Sequence, residues 1–514
     1  MLGYRFCLAS FGLDQWPLRV ESKLGQHRAR ELDGDNRLTQ IFPSVYAPAE
    51  DTPIPLFDHL EFALRYEGVD LAALAAIFAQ LEPTQVLEWI KLRPNGKYAR
   101  RLGFLYEWLT GREVPLGDVS IAGAYEPVLD EESYFTGPSQ NVRRWHVRDN
   151  LPGTPAWCPT IHRSTLRGAP IGALDIAAAF QDVRAKVPAE IFERALSYAY
   201  LAETQASYEI EHDAPTPTQR HAFLRALQEA GEMPVSQRLT DERLTELQEL
   251  VFKGIPTFVA HGPRGDDLFV GTSTGAGLRR VEYPCPPASA IGSLLEGLRI
   301  SAAHRLAAPQ VPPSVFAGVV AFAFVFIHPL HDGNGRVHRF LIHEALVERG
   351  AVERGMLVPV SATMLAQLQE YRAALRAYSE PVRAAASEFS GVPFALEATE
   401  PFMFGRFERV APLYRYPVLT EQVAYLETTL RQSIDNKLLE ESRFLMRFDA
   451  ARGAVSQRLN LPEHRLDLLV QLIQQSSGHL SATKRGSHFP DLTDEAVAAA
   501  EQAVQTAFAA AAGS

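Results

Sequence analysis

The run PSVFAGVVAFAFVFI at 313–327 is apolar on every face of a helix, and it stops on His328 and Pro329 before a polar, glycine-bearing stretch, LHDGNGRVHR. A helix that is apolar all round must be covered by neighbours, so the rest of the chain has to build a core around it. Its most apolar part, 315–327, is 13 residues long, short of the roughly 20 that cross a bilayer. Pro329 cannot continue the helix and biases His328 away from the α region. Gly333 and Gly335 allow positive φ and close backbone approach, and a second helix is predicted to start near Asn334 or Gly335. The local prediction is helix, tight polar loop, helix.

The chain has 514 residues, 46% hydrophobic and 22% charged. That is enough for about three domains at roughly 150 residues each. The formal charge of −11 argues against a protein that holds nucleic acid by neutralising phosphates. The short basic run in LSATKR reads as solvated surface rather than a recognition helix. Cys7, Cys158 and Cys285 form no CxxC pair, which fits a reducing compartment and three core residues. No apolar run with a cleavage site opens the chain, so a cytoplasmic location, away from membranes, is expected.

The fold expected is mainly α. Residues 1–185 mix helical runs at 71–81 and 99–109 with Pro- and Gly-rich connections, giving an α-rich N-terminal domain with no role assigned. Residues 186–385 open on a long helix that ends before the prolines of 212–217, then carry strand-like runs, PTFVA and DLFVG, followed by GTSTGAGLRRVEY, as a β-hairpin inside a helical domain. Residues 386–514 read as a helical C-terminal domain closing on an Ala-rich helix at 492–511, with the tail AAAGS expected to fray.

Backbone N–H groups at a helix start form an anion site, and Arg336 and Arg339 fall on its first turns, so phosphates suit the loop. Asp332 beside it is a hard oxygen ligand suited to Mg²⁺. His328 is the nearby group able to take a proton near neutral pH. A zinc cluster of His328, His331, His338 and His343 lacks an HExxH face and cysteine partners. His331, His338 and His343 therefore read as surface or packing residues.

HPLHDGNGRVHR resembles the Fic signature HPFxxGNGRxxR, with Leu330 where Phe is usual. The resemblance implies an all-helical Fic core with a small β-hairpin flap, and transfer of AMP from Mg-ATP to a Ser, Thr or Tyr hydroxyl of a target protein, which could be the chain itself. It implies His328 as base, Asp332 as Mg²⁺ ligand, and Gly333, Asn334 and Gly335 as the α-phosphate cradle. Arg336 would meet the leaving-group side and Arg339 the γ-phosphate. The hairpin would align a target segment, Tyr371 could border the adenine or simply pack a helix, and a homodimer is compatible.

SYEIEH at 207–212 resembles the family's inhibitory helix, with Ser207 and Glu211 in place and His212 where Gly or Asn is usual. The resemblance implies that Glu211 pairs with Arg339 and keeps ATP from its productive place, and that without Gly the helix end turns differently. The alternatives are removal of AMP with Glu211 positioning water, and a non-catalytic ATP-sensing adaptor, against which the intact His328 speaks.

Overall fold

A computed structural model describes residues 1–34, 36–49, 54–274 and 277–509. The tail AAAGS lies outside the described residues. Among the described residues the fold is mainly α, with three small three-stranded sheets, and divides into two compact units.

The first unit comprises Met1–Ile176, Thr204–Met356 and Val360–Leu430. Its N-terminal part contains helices α1 (Leu71–Phe78) and α2 (Lys97–Thr110), in line with the helical runs read at 71–81 and 99–109. It also contains strands the sequence reading did not anticipate: β1 (Val20–Leu24), β2 (Ala29–Leu32) and β3 (Leu38–Phe42) in the order β1-β3-β2, then β4 (Glu126–Pro127), β5 (Gln140–Val142) and β6 (Val147–Asp149) in the order β4-β6-β5. Strands of two to five residues are too short to print a two-residue alternation.

Helix α3 (Ala189–Glu209) brings the chain to the site, followed by α4 (Asp241–Val251). The hairpin is β7 (Phe269–Thr274) with β8 (Leu278–Pro284), and β9 (Ala395–Glu397) pairs on the far side of β8. PTFVA at 256–260 is not a strand. Phe258 instead stacks on Phe252, with ring centroids 3.9 Å apart, so packing onto the end of α4 overrides its strand-like pattern.

Helices α5 (Ala288–Ile300), α6 (Pro313–Ile327), α7 (Asn334–Glu348) and α8 (Leu368–Ser390) complete the surroundings of the site. As its composition demands, α6 is buried along almost its whole length. The N-terminal residues belong to this core. Gly172 N–H and the Ser314 hydroxyl both donate to Glu427, and Arg305 pairs with Asp149 at 3.2 Å.

The second unit comprises Ala177–Glu203, Leu357–Pro359 and Arg431–Ser514. In it α9 (Leu439–Ser456), α10 (Glu463–Gln475) and α11 (Asp494–Ala509) share one apolar core through residues such as Val455, Leu469, Ile473 and Val504. The expected boundaries near 185 and 385 do not coincide with this division. Position 385 lies inside α8, and the first unit runs on to Leu430.

Candidate active site

The loop between α6 and α7 takes its shape from His328. Its N–H closes the last turn of α6 on Phe324 O at 2.9 Å, and its backbone is left-handed, φ +51°. Pro329 disfavours the right-handed alternative, so the chain leaves the helix here. His328 Nδ1 lies 3.2 Å from Val325 O. A carbonyl only accepts, so Nδ1 carries the proton and Nε2 keeps its lone pair. Burial, with the nearby Arg264 charge, pushes the imidazole down to about 4, against smaller opposing effects of Val325 O and Glu211. His328 is therefore neutral at physiological pH.

Arg264 brackets this loop. It is 3% exposed. Its Nε donates to His328 O at 2.9 Å, its other nitrogens donate to Asp266 O and Pro286 O, and its backbone N–H donates to Pro329 O at 2.7 Å. Asn334 ties the loop from within: Leu330 N–H donates to its Oδ1 at 2.9 Å, and its Nδ2 donates back to Leu330 O at 2.7 Å. Leu330 itself is fully buried, so the apolar demand of the position is met. On the other side Gln248 Nε2 donates to Asp332 O, while its Oε1 accepts from His261 and Gly262 N–H.

The start of α7 is open backbone. Gly333 is left-handed at φ +91°, and its N–H donates to Asp332 Oδ1 at 2.6 Å. A Cβ on Gly335 would lie 2.1 Å from Glu211 Oε1, so a carboxylate rests directly on the first turn of the helix. First-turn N–H groups have no intrahelical acceptor and favour an anion.

Both arginines of α7 are buried and both meet carboxylates. Arg339 is fully buried. Its Nε donates to Ser207 Oγ at 3.0 Å, and its Nη2 donates to Ser207 O at 2.6 Å and to Glu211 Oε1 at 2.9 Å. Burial raises the Glu211 carboxyl, but the charge and hydrogen bond of Arg339, with the charge of Arg336, outweigh it and hold the group below its ordinary value. Arg336 lies between the faces of Tyr208 and Phe252, 4.8 and 4.9 Å from their centroids, and 3.4 Å from Asp213. Arg336 Nε and Nη1 and Arg339 Nη1 are buried with no hydrogen-bond partner among the described residues. Unmet donors of this kind cost stability and fit a guest rich in acceptor oxygens.

One turn delivers both carboxylates. After α3, His212 N–H bonds Glu209 O at 2.9 Å and Asp213 N–H bonds Tyr208 O at 3.2 Å, with His212 left-handed at φ +59°. This is a Schellman turn. The expectation that a histidine here would force a different turn is corrected: His212 adopts the glycine-favoured conformation at a cost in strain. His212→Gly is accordingly expected to stabilise the fold by about 0.5–1 kcal/mol, after the entropy glycine adds to the unfolded chain. Urea unfolding reads this as a higher midpoint, and His212→Ala, which keeps the Cβ, should give no gain.

His331 pairs with Asp266 at 2.6 Å on the surface, His338 is buried with Nδ1 2.8 Å from Ala321 O, and His343 is buried. Tyr371 is buried within about a ring's reach of His338 and Tyr425, with centroids 6.2 and 6.0 Å away. It also lines a cavity of about 440 Å³ together with His328, Gly335, Glu211, Val270 and Tyr283. The structure thus brings His328, Gly335, Glu211 and Tyr371 to one cavity, with Arg339 bonded to Glu211 behind it.

Arg264, Gln248 and Asp213 escaped the sequence reading. Only Asp213 left a trace, as a second acid two residues beyond Glu211.

This geometry agrees with a match of sequence. Residues 238–346 match the model of the Fic/DOC family. The Fic/DOC segment includes α4, the hairpin, the loop and nearly all of α7, whereas Ser207, Glu211 and Asp213 precede it and Tyr371 follows it. Two solved structures are similar. A Fic family protein from Desulfovibrio desulfuricans is 19% identical, covering 55% of this chain and 79% of its own, with a TM-score of 0.34. A Fic domain containing signaling protein from Bacteroides thetaiotaomicron is 14% identical, covering 53% of this chain and 97% of its own, with a TM-score of 0.32. No curated protein matches the chain.

Proposed function

We propose that the chain is a Fic-type adenylyl transferase that moves AMP from Mg-ATP to a Ser, Thr or Tyr hydroxyl of a protein, restrained by Glu211. The observation that carries the reading is the pairing, in one cavity, of a neutral His328 with a free Nε2 lone pair and an anion-accepting helix start at Gly335. In this reading Nε2 takes the hydroxyl proton as the oxygen bonds the α-phosphorus. The bond from phosphorus to the bridging oxygen breaks, and pyrophosphate leaves. N–H groups of 334–336 stabilise the charge that develops on the α-phosphate.

The unmet N–H donors of Arg336 and Arg339 suit the β- and γ-phosphates by charge-assisted bonds. Asp332, exposed beside the nest, would hold Mg²⁺, whose charge offsets that of the phosphates. Among the described residues no three His, Cys, Asp or Glu converge on a metal, and Mg²⁺ bound largely through phosphates and water requires none.

Glu211 competes with the nucleotide twice: it takes Arg339 Nη2, and it covers Gly335. Its presence in the same cavity as His328 also favours, as a second reading, hydrolytic removal of AMP with Glu211 orienting water.

Incubation with Mg²⁺ and ATP labelled at the α- or the γ-phosphate separates these. Protein-bound α-label, on the chain or on lysate proteins, is the expected result. Label from the γ-position alone would point to phosphoryl transfer. No label from wild type or Glu211→Gly, with ATP binding intact, would sink the transferase reading.

A further inference from the structure

The cavity that holds His328 and Gly335 is walled on one side by β8 and on another by α8. Side chains alternate along a strand, and Arg280 and Glu282 of β8 both line it. On α8 the lining residues Arg372, Arg376 and Arg383 recur at i, i+4 and i+11, which is one stripe of a helix. Arg376 has Glu380 at 3.9 Å.

Arg280, Arg372 and Arg383 have no carboxylate partner among the described residues. Arg383 lies over the ring of Phe394 at 5.0 Å, and Phe394 is 56% exposed. Three guanidinium groups without a carboxylate partner among the described residues thus share the wall with Glu282, which accepts from the Thr272 hydroxyl at 3.1 Å, in a chain whose formal charge is −11. The phosphates of a nucleotide already have their own receptors on α7, in the first-turn N–H groups, Arg336 and Arg339. The outer edge of β7, which has no paired strand among the described residues in the order β7-β8-β9, can add a strand through backbone bonds, which are blind to side chains. Selectivity for what enters must come from the arginines.

We propose that the protein accepting AMP carries acidic residues beside its hydroxyl, and that these dock against Arg280, Arg372 and Arg383. The inference rests on the transferase reading above and supplies the class of its target. Guanidinium groups favour carboxylates through charge-assisted, bidentate bonds, and rim charges of this kind set partner choice and salt dependence.

Fluorescent dodecapeptides with one central Ser, Thr or Tyr, flanked by Glu, Ala or Lys, test it on the full chain by anisotropy and, with Mg²⁺ and α-labelled ATP on Glu211→Gly, by transfer. The Glu-flanked peptides are expected to bind at least about tenfold more tightly than the Ala-flanked ones at low salt, with the preference shrinking as salt rises. In transfer the difference should fall in KM rather than kcat. Arg372→Glu with Arg383→Glu should turn the preference toward Lys flanks while leaving ATP binding and thermal melting unchanged.

Equal binding of the three peptides, an unaltered preference in the charge-reversed variant, or tighter binding of a single-stranded oligonucleotide than of any acidic peptide would each overturn the proposal. Charge-selective binding without transferred label would keep the arginines as a docking surface for acidic segments while removing the transferase reading. Transfer without charge preference would do the reverse.

Discussion

Replacing Glu211 by glycine is expected to raise AMP transfer by about 10- to 100-fold at subsaturating ATP. The bond from Arg339 Nη2 to Glu211 Oε1 is charge-assisted and partly shielded from water, and bonds to charged groups contribute about 1.5–3 kcal/mol. A tenfold change corresponds to about 1.4 kcal/mol. The substitution also clears the space over Gly335, so both the guanidinium and the helix start become available together. Asp213 still holds Arg336 at 3.4 Å, so the gain should grow further when Asp213→Asn is added.

A second readout separates release of a brake from a general disturbance. Without Glu211 the buried Arg339 keeps the neutral oxygens of Ser207 but no carboxylate among the described residues, and an uncompensated buried charge is destabilising. The variant should melt lower than wild type without nucleotide and be stabilised more by Mg-ATP. Unchanged transfer with an unchanged melting response would remove Glu211 from regulation. A loss of AMP removal from a modified protein, with no gain in transfer, would favour the hydrolytic reading.

His328→Ala is expected to cost about 10²–10⁴-fold in transfer, the usual worth of a positioned base, while ATP affinity changes little because no phosphate contact is assigned to the imidazole. The pH profile gives a finer test. With the free-enzyme imidazole pushed down to about 4, kcat/KM should hold level through neutrality and fall only below about pH 5. Bound nucleotide brings negative charge and raises the imidazole, so the acid limb of kcat should lie at higher pH.

The stability consequence has the opposite origin but a defined window. Between about 4, the folded value, and 6.5, the ordinary one, the unfolded chain takes up protons on His328 that the folded chain refuses. Stability therefore falls as pH drops through this window. His338, also pushed to about 4 by burial, contributes in the same sense. Melting should thus weaken with acid in His328→Ala as well, only less steeply, whereas the acid limb of activity belongs to His328.

The parts of the site legible in the sequence are those whose chemistry is local. A His-Pro step at the end of an apolar helix, two glycines and two arginines three apart encode a turn, a nest and two charges within a dozen residues. The stretch 313–327 and the restart at Asn334 were readable for the same reason: burial on all sides and a proline stop are one-dimensional signals. Arg264 was not readable, because its function lies in bonds to carbonyls 64 and 22 positions away, and nothing in its immediate neighbours marks it.

The hairpin lies where DLFVG and GTSTGAGLRRVEY place it, but PTFVA is no part of it. PTFVA alternates like a strand, yet Phe258 gains more from the ring of Phe252 than from pairing. Of the short strands among the first 150 residues, β2 with β3 and β5 with β6 form local hairpins too brief to show an alternation, while β1 with β3 and β4 with β6 pair in parallel across intervening chain, and the division into units depends on contacts between segments far apart in the chain.

Gly335 has a consequence for how such a site can change over generations. Its missing Cβ makes room for the resident carboxylate and, in the transferase reading proposed above, for the visiting phosphate at the same place, so a side chain there would evict both. Mutations that abolish the brake while preserving the reaction must therefore come from the opposite wall, at Glu211 or in the turn that carries it. Regulation can drift at that turn, while the floor beneath it stays fixed.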